Sequence, residues 1–277
     1  MIHSFLSLLK HDIFEGVICK WKYYFLTVLF FAFVDFVFVT NVISSFIVFN
    51  INIQCSITDI VINTFLGNEP FDPAVNKGVS LSVTWFIFHA LLFFFISLYI
   101  TDDLKKNAIS LLLRVKSKQL WWTSKFIWCI ITVVVYYFLF LAIAVIFASC
   151  FGIASFDVSS LIADEFFGIQ ILDISVWKMF FSSLLLPMMI SVAIAVFECA
   201  LCLIIKPIYS FIILICYLVA STFYCSEYLL FNFSMVIRNK FEGVNGVLNQ
   251  YAVLITILII AVSYLVGLSF IKRKDIL

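Results

Sequence analysis

Three ionisable side chains stand inside long apolar stretches: Asp35, His89 and Glu198. A charge at the centre of a bilayer costs about 2.5–3.5 kcal/mol on insertion scales, so each is a functional candidate by default. Carboxylate and imidazole groups at membrane depth can relay protons or act as general acid and base. That opens two readings, a proton-coupled secondary transporter and an intramembrane enzyme. Depth pairs the first two groups. Asp35 follows Lys22 by 13 residues and His89 precedes Thr101 by 12. At ~1.5 Å per residue both lie roughly 18–20 Å from the same end of their helices. The expectation is contact between the Asp35 carboxylate and the His89 ring. Glu198 is 8 residues from Lys206, hence shallower.

Other candidate chemistry is sparse. Cys199-x-x-Cys202 lies within an apolar stretch, where cysteine acts as a small apolar filler. Nothing pairs Cys55, Cys150 or Cys225 in a disulfide. Asn232-Phe-Ser234 fits a glycosylation acceptor. There is no GxxxxGK[ST] phosphate loop, no HExxH and no GxSxG, so the chain has no cofactor motif of its own.

The elements that must position these groups are legible from composition. The chain is 65% hydrophobic and 12% charged, with a mean hydropathy of +1.18. Soluble domains carry about 25% charged residues. A net charge of +1 gives no reason to expect a nucleic-acid partner. The class is an all-α polytopic membrane protein. Six segments approach the ~20 apolar residues that a span needs: Tyr23–Ser45, Leu81–Ile100, Phe126–Ser149, Met179–Ile205, Ile208–Phe223 and Tyr251–Ile271. Lys206-Pro207 separates the fourth from the short fifth, and Pro187 should kink the fourth. Thirteen basic residues fall on one side of this scheme. Lys77, Lys178, Arg238 and Lys240 fall on the other. Basic residues stay cytoplasmic, so both termini should be inside.

Residues 1–22 form an amphipathic interfacial helix, with Ile2, Phe5, Leu6, Leu9, Ile13 and Val17 at helical spacing. The loop 101–125 carries six of the 17 basic residues. In it Asp102 and Asp103 can cap a helix whose stripe is Leu104, Ala108, Leu111 and Leu112, beside Lys105, Lys106 and Arg114. Such a stripe suits a groove in a soluble partner. Trp121 and Trp122 are placed for a membrane interface. The stretch 150–177 suggests a short external surface helix. The stretch 225–250 is too apolar for a free loop and too charged to span, and reads as an external re-entrant hairpin.

This order of parts resembles the permease subunits of ATP-binding cassette exporters of the type-2 class. The parts are an amphipathic N-terminal helix (1–22), a six-helix transmembrane domain (23–277), a charged helical loop after the second span and a hairpin before the sixth. Locally, RVKSKQLWWTSKF at Arg114–Phe126 and FIKRKDIL at Phe270–Leu277 are similar to bacterial members, and FNFSMVIRNKF at Phe231–Phe241 to the stretch after the family's fifth span. The resemblance implies that Asp102–Gln119 is a coupling helix received by a separate ATPase subunit, which carries the ATP and Mg. It implies a second permease as partner, a location in the bacterial plasma membrane and no bond chemistry in this chain.

Overall fold

In hydrocarbon every backbone group must find its partner within the protein, so long apolar segments become helices. The computed structural model describes residues 2–48, 51, 53–71, 81–106, 117–152, 154–168, 175–239 and 249–273, and among them there is no strand. The helices are α1 (Ile2–Ile13), α2 (Trp21–Val48), α3 (Ile57–Phe65), α4 (Val83–Lys106), α5 (Lys118–Phe151), α6 (Val176–Ile204), α7 (Pro207–Phe223) and α8 (Asn249–Arg273). Five of them, α2, α4, α5, α6 and α8, are long and apolar enough to cross a membrane. α7 is apolar but has 17 residues.

α6 forms the centre, with 67% of its most apolar stretch buried against 22% for α8. It packs on α8, α5, α4 and α7, while α2 leans on α5 and α1 lies across α5. Lipid tails are as apolar as leucine, so shape and aromatic geometry hold such helices together. Phe31 of α2, Phe88 of α4, and Tyr136 and Phe140 of α5 meet with ring centroids 5.0–5.4 Å apart.

Pro187 is absorbed without ending the helix. A proline lacks the N–H that would bond four residues back and crowds the preceding turn. α6 widens there into a π-helical turn, Phe181–Leu185, and resumes as α-helix from Leu186. A second π-helical turn, Phe14–Ile18, joins α1 to α2.

The stretch between α2 and α4 is no surface loop. α3 is buried along almost its whole length. Ser56 caps it, with Asp59 returning a bond to the Ser56 N–H in a capping box. The segment 155–159 clasps it, Ile57 N–H donating to Ser155 O and the Thr58 hydroxyl to Phe156 O. Gly152 makes the close approach possible: a Cβ there would sit 2.0 Å from the Cys55 carbonyl oxygen.

Several sequence expectations change. Trp121 and Trp122 do not face lipid. Both are buried, and the Trp122 indole donates to Tyr264 O on α8 at 3.0 Å. Asn232 is no open glycosylation acceptor. It is buried, its amide donates to the Tyr224 and Ser226 carbonyls, and its Oδ1 accepts from Arg238. Of the stretch 225–250, the described part to Asn239 forms two 3-10 turns, with Leu230, Phe231, Phe233, Met235 and Val236 buried. In 150–177 the expected short helix is present, Ser160–Ile162 continuing as the π-helical turn Ala163–Phe167, but Phe166 and Phe167 turn inward onto Phe38.

Candidate functional site

The expected coupling residues divide at Lys106. α4 runs unbroken from Val83 to Lys106, so Asp102 and Asp103 lie in its last turns and do not cap a new helix. Leu104 packs partly buried against the core. Lys105 and Lys106 close α4. Leu111, Leu112 and Arg114, with Ala108, lie outside the described residues.

The two aspartates have separate partners. Asp102 pairs with Lys20, at the junction of α1 and α2. Asp103 is buried and lies 2.9 Å from Lys125 Nζ. Lys125, about two turns into α5 and counted in the sequence among the basic residues of the loop 101–125, is 2% exposed. Its ammonium also donates to Asp12 Oδ1 at 2.7 Å and to the Tyr99 hydroxyl at 3.0 Å. Asp12 is buried in α1 and accepts from the Tyr99 hydroxyl (2.8 Å) and the Ser124 hydroxyl (2.5 Å). The ammonium lies 4.8 Å from the Tyr99 ring centroid and 5.4 Å from that of Trp121, inside cation–π range. His11 Nδ1 stands 3.7 Å from Asp12 at the rim.

Three elements thus converge on one ammonium: α1 through Asp12, the end of α4 through Tyr99 and Asp103, and the start of α5 through Ser124 and Lys125. They are the N-terminal helix and both stems of the loop 101–125. Next to them Gly16, in the π turn, lets the chain rest on Trp128; a Cβ there would meet the indole at 2.4 Å. A buried charge needs pairing and hydrogen bonds, and the cluster supplies both. Two carboxylates face one ammonium, so removing the lysine strands both. The cluster holds no exposed nucleophile and no open coordination position. What it does is lock three elements in register.

Asp12 escapes the sequence because it lies off the apolar stripe Ile2, Phe5, Leu6, Leu9, Ile13 and Val17 of the interfacial helix. The sequence does hold one sign, the apolar Leu8 one turn before Asp12 and off that stripe; the structure buries both.

The three intramembrane groups are not brought together. Asp35 is fully buried, and neither carboxylate oxygen has a hydrogen-bond partner. The His89 ring donates from Nδ1 to Trp85 O of its own helix (2.9 Å), its Nε2 unpartnered among Phe65, Phe88, Phe93 and Phe231. The expected Asp35–His89 bond is therefore absent. Equal depth does not choose a neighbour, and α2 packs chiefly on α5. Glu198 joins other elements: its Oε1 accepts from the Ser97 hydroxyl of α4 at 2.7 Å, and its carbonyl accepts from Ser210 of α7 at 3.3 Å. Among the described residues, no three His, Cys, Asp or Glu side chains gather as a metal site.

A second buried cation stands at the opposite end. Arg238 donates from Nε to Asn68 O (2.8 Å), and from its two Nη groups to Ser221 O (2.5 Å), Thr222 O (2.7 Å), Tyr224 O and Glu69 O (both 3.3 Å). It also meets Asn232 Oδ1. Ser221 and Thr222 belong to the last turn of α7, whose carbonyls lack intrahelical donors. Burial lowers the Arg238 pKa to about 10, well above neutrality, so the cation persists beside the negative helix end.

The family described as "Protein of unknown function (DUF2705)" matches residues 69–277. This chain belongs to the DUF2705 family. The DUF2705 match contains Tyr99, Asp103, Ser124, Lys125 and Arg238; Asp12 precedes it. No curated protein and no solved structure matches the chain.

Proposed function

We propose that the chain is the transmembrane permease subunit of an ATP-binding cassette exporter in a bacterial plasma membrane. It works with separate ATPase subunits, which carry ATP and Mg, and with a second permease, either another copy or a sister chain. The observation that carries this reading is the Lys125 cluster. Something that pushes on the loop 101–125 acts on α4, α5 and α1 together, because one buried ammonium binds all three. Force delivered at the loop therefore reaches the bundle without being lost in a slack connection.

In this reading the chain crosses the membrane six times, with both termini and the loop cytoplasmic. At ~1.5 Å per residue α7 reaches roughly 26 Å, near the ~30 Å of a hydrocarbon core, and serves as the fifth crossing. Asp35, His89 and Glu198 each stand apart with different surroundings. That favours the exporter over a proton relay or an intramembrane acid–base pair, which would need them in contact.

Purification of the tagged chain from its own membrane is the deciding experiment. Co-purification of an ATP-binding cassette ATPase is expected, and recovery of the chain alone after crosslinking would overturn the reading. In the assembled complex, Leu111→Asp with Leu112→Asp should lower substrate-stimulated ATP hydrolysis on the order of tenfold, since a charge forced into an apolar groove weakens docking by at least ~1.4 kcal/mol. Ser117→Cys, in a cysteine-free background, should resist impermeant thiol reagents added outside the cell.

A further inference from the structure

α6, α7 and α8 enclose a cavity of about 380 Å³. That lies within the ~300–1,000 Å³ range of small-molecule sites. Its floor is Ile194, Leu214, Leu230 and Ser263, each 3% exposed or less. Its rim is Phe197, Ile213 and Val262, which are 38%, 47% and 49% exposed. A mouth framed by exposed apolar side chains on apolar helices opens sideways, toward acyl chains.

One atom in this wall lacks a partner. The Ser263 hydroxyl is buried and makes no hydrogen bond. Several helical hydroxyls bond back to their own turn, Ser269 to Val266 O on the same helix, Ser149 to Val145 O and Ser221 to Tyr217 O. Thr64, Thr132 and Thr256 are, like Ser263, buried without a partner, and of these four Ser263 lines the cavity. A buried hydroxyl without a partner costs about 1–3 kcal/mol. Ser263 is therefore set for a partner that comes from the cavity.

Depth and charge narrow the ligand. Ser263 precedes Arg273 by ten residues, about 15 Å along the helix. Exposed Lys272 and Arg273 close α8, and exposed Lys206 stands at the α6–α7 turn. These basic residues share one end of the bundle, since Ser97 bonds to Pro207 O and Trp122 to Tyr264 O near the start of α5. An anionic head at that level places mid-chain atoms beside Ser263.

We propose that the cavity between α6, α7 and α8 binds a single-chain anionic lipid bearing a hydroxyl or carbonyl part-way along its chain, entering from the bilayer and hydrogen-bonded to Ser263 Oγ. The site does not require an ATPase partner, so it stands or falls separately from the exporter reading.

The test uses the full-length chain in detergent micelles and a stearic acid carrying a mid-chain diazirine. After illumination, adducts should concentrate on the peptides around Ile194–Phe197 and Ile259–Ser263. 12-Hydroxystearate should displace the probe about fivefold better than stearate, the value of one hydrogen bond. Ser263→Ala should erase that preference while leaving the labelling. Ile259→Trp, which fills the cavity, should abolish the labelling. Adducts spread evenly over the exposed faces of α2 and α8 would overturn the site, as would a preference that survives Ser263→Ala. A wall labelled in monomers but protected in dimers would make a second copy the occupant, and would overturn it too.

Discussion

Lys125 and Arg238 are both buried cations that tie separate parts of the chain together near helix ends, and they do it with opposite materials. Lys125 meets side chains: the Asp12 and Asp103 carboxylates and the Tyr99 hydroxyl. Arg238 meets main chain: four carbonyls within or beside α7 and α3, a fifth from Glu69 and one side-chain amide oxygen. An ammonium is a compact charge with three donors, whereas a guanidinium is a rigid fork with five N–H groups. The fork can collect carbonyls at fixed angles, and those carbonyls are present whatever side chains surround them. The ammonium depends on residues at three separate places in the chain. One end of the molecule is therefore fastened to its backbone, and the other is fastened through side chains that can exchange partners.

The largest effect should come from Arg238→Met. It leaves several buried carbonyls without donors, at about 1–3 kcal/mol each. The expected outcome is no folded, monodisperse protein in fluorescence-detected size-exclusion chromatography, with Arg238→Lys giving a partial loss. A second change should not rescue it, because its acceptors are backbone.

Next in size is Lys125→Met, which strands two buried carboxylates and should cost about 3–5 kcal/mol of thermal stability. Here rescue is expected. Adding Asp12→Asn and Asp103→Asn to Lys125→Met should recover most of the loss. A triple variant no better than the single one would end the distinction between the two cations.

The smallest effect is a pH dependence at the Arg238 end. Burial outweighs the Ser56 and Ser159 N–H donors and pushes the Asp59 pKa from 3.8 up to about 6. A raised carboxyl pKa stabilises the fold below about 4 and loses that contribution as pH rises through about 6. That difference is worth about 3 kcal/mol, so the melting temperature should fall by roughly 6–12 °C across this window. Asp59→Asn should flatten the slope, and an unchanged slope would assign the titration elsewhere.

The long helices were legible because hydrocarbon leaves an apolar segment little choice, and Lys206-Pro207 marked the α6–α7 break in the chain itself. What escaped was everything decided by three-dimensional neighbours. Lys125 looked like one more basic residue of a loop, because Asp12 and Asp103 reach it across 113 and 22 positions of sequence. Asp35 and His89 matched in depth, yet α2 turned to α5. Arg238 entered only the count of basic residues on each side, since its acceptors are carbonyls that every residue has. Leaving both buried cations out of that count does not change which side is richer in basic residues. α3 did carry a local sign, Ser56 three positions before Asp59 at the head of an apolar run, which was obscured by the polar residues around it.

α3 has a consequence for how the molecule is made. Nine residues at ~1.5 Å reach roughly 14 Å, far short of a crossing, so the insertion machinery has no span to recognise there. Its pocket is built by α2, α4, α5, the segment 155–159 and the Phe181–Leu185 turn of α6, the last of which follows α3 by more than a hundred residues. α3 must therefore wait at the membrane surface and enter sideways once its walls exist. The expected order of assembly is thus docking of α3 after translation of the first turns of α6, with the bundle unsealed until then.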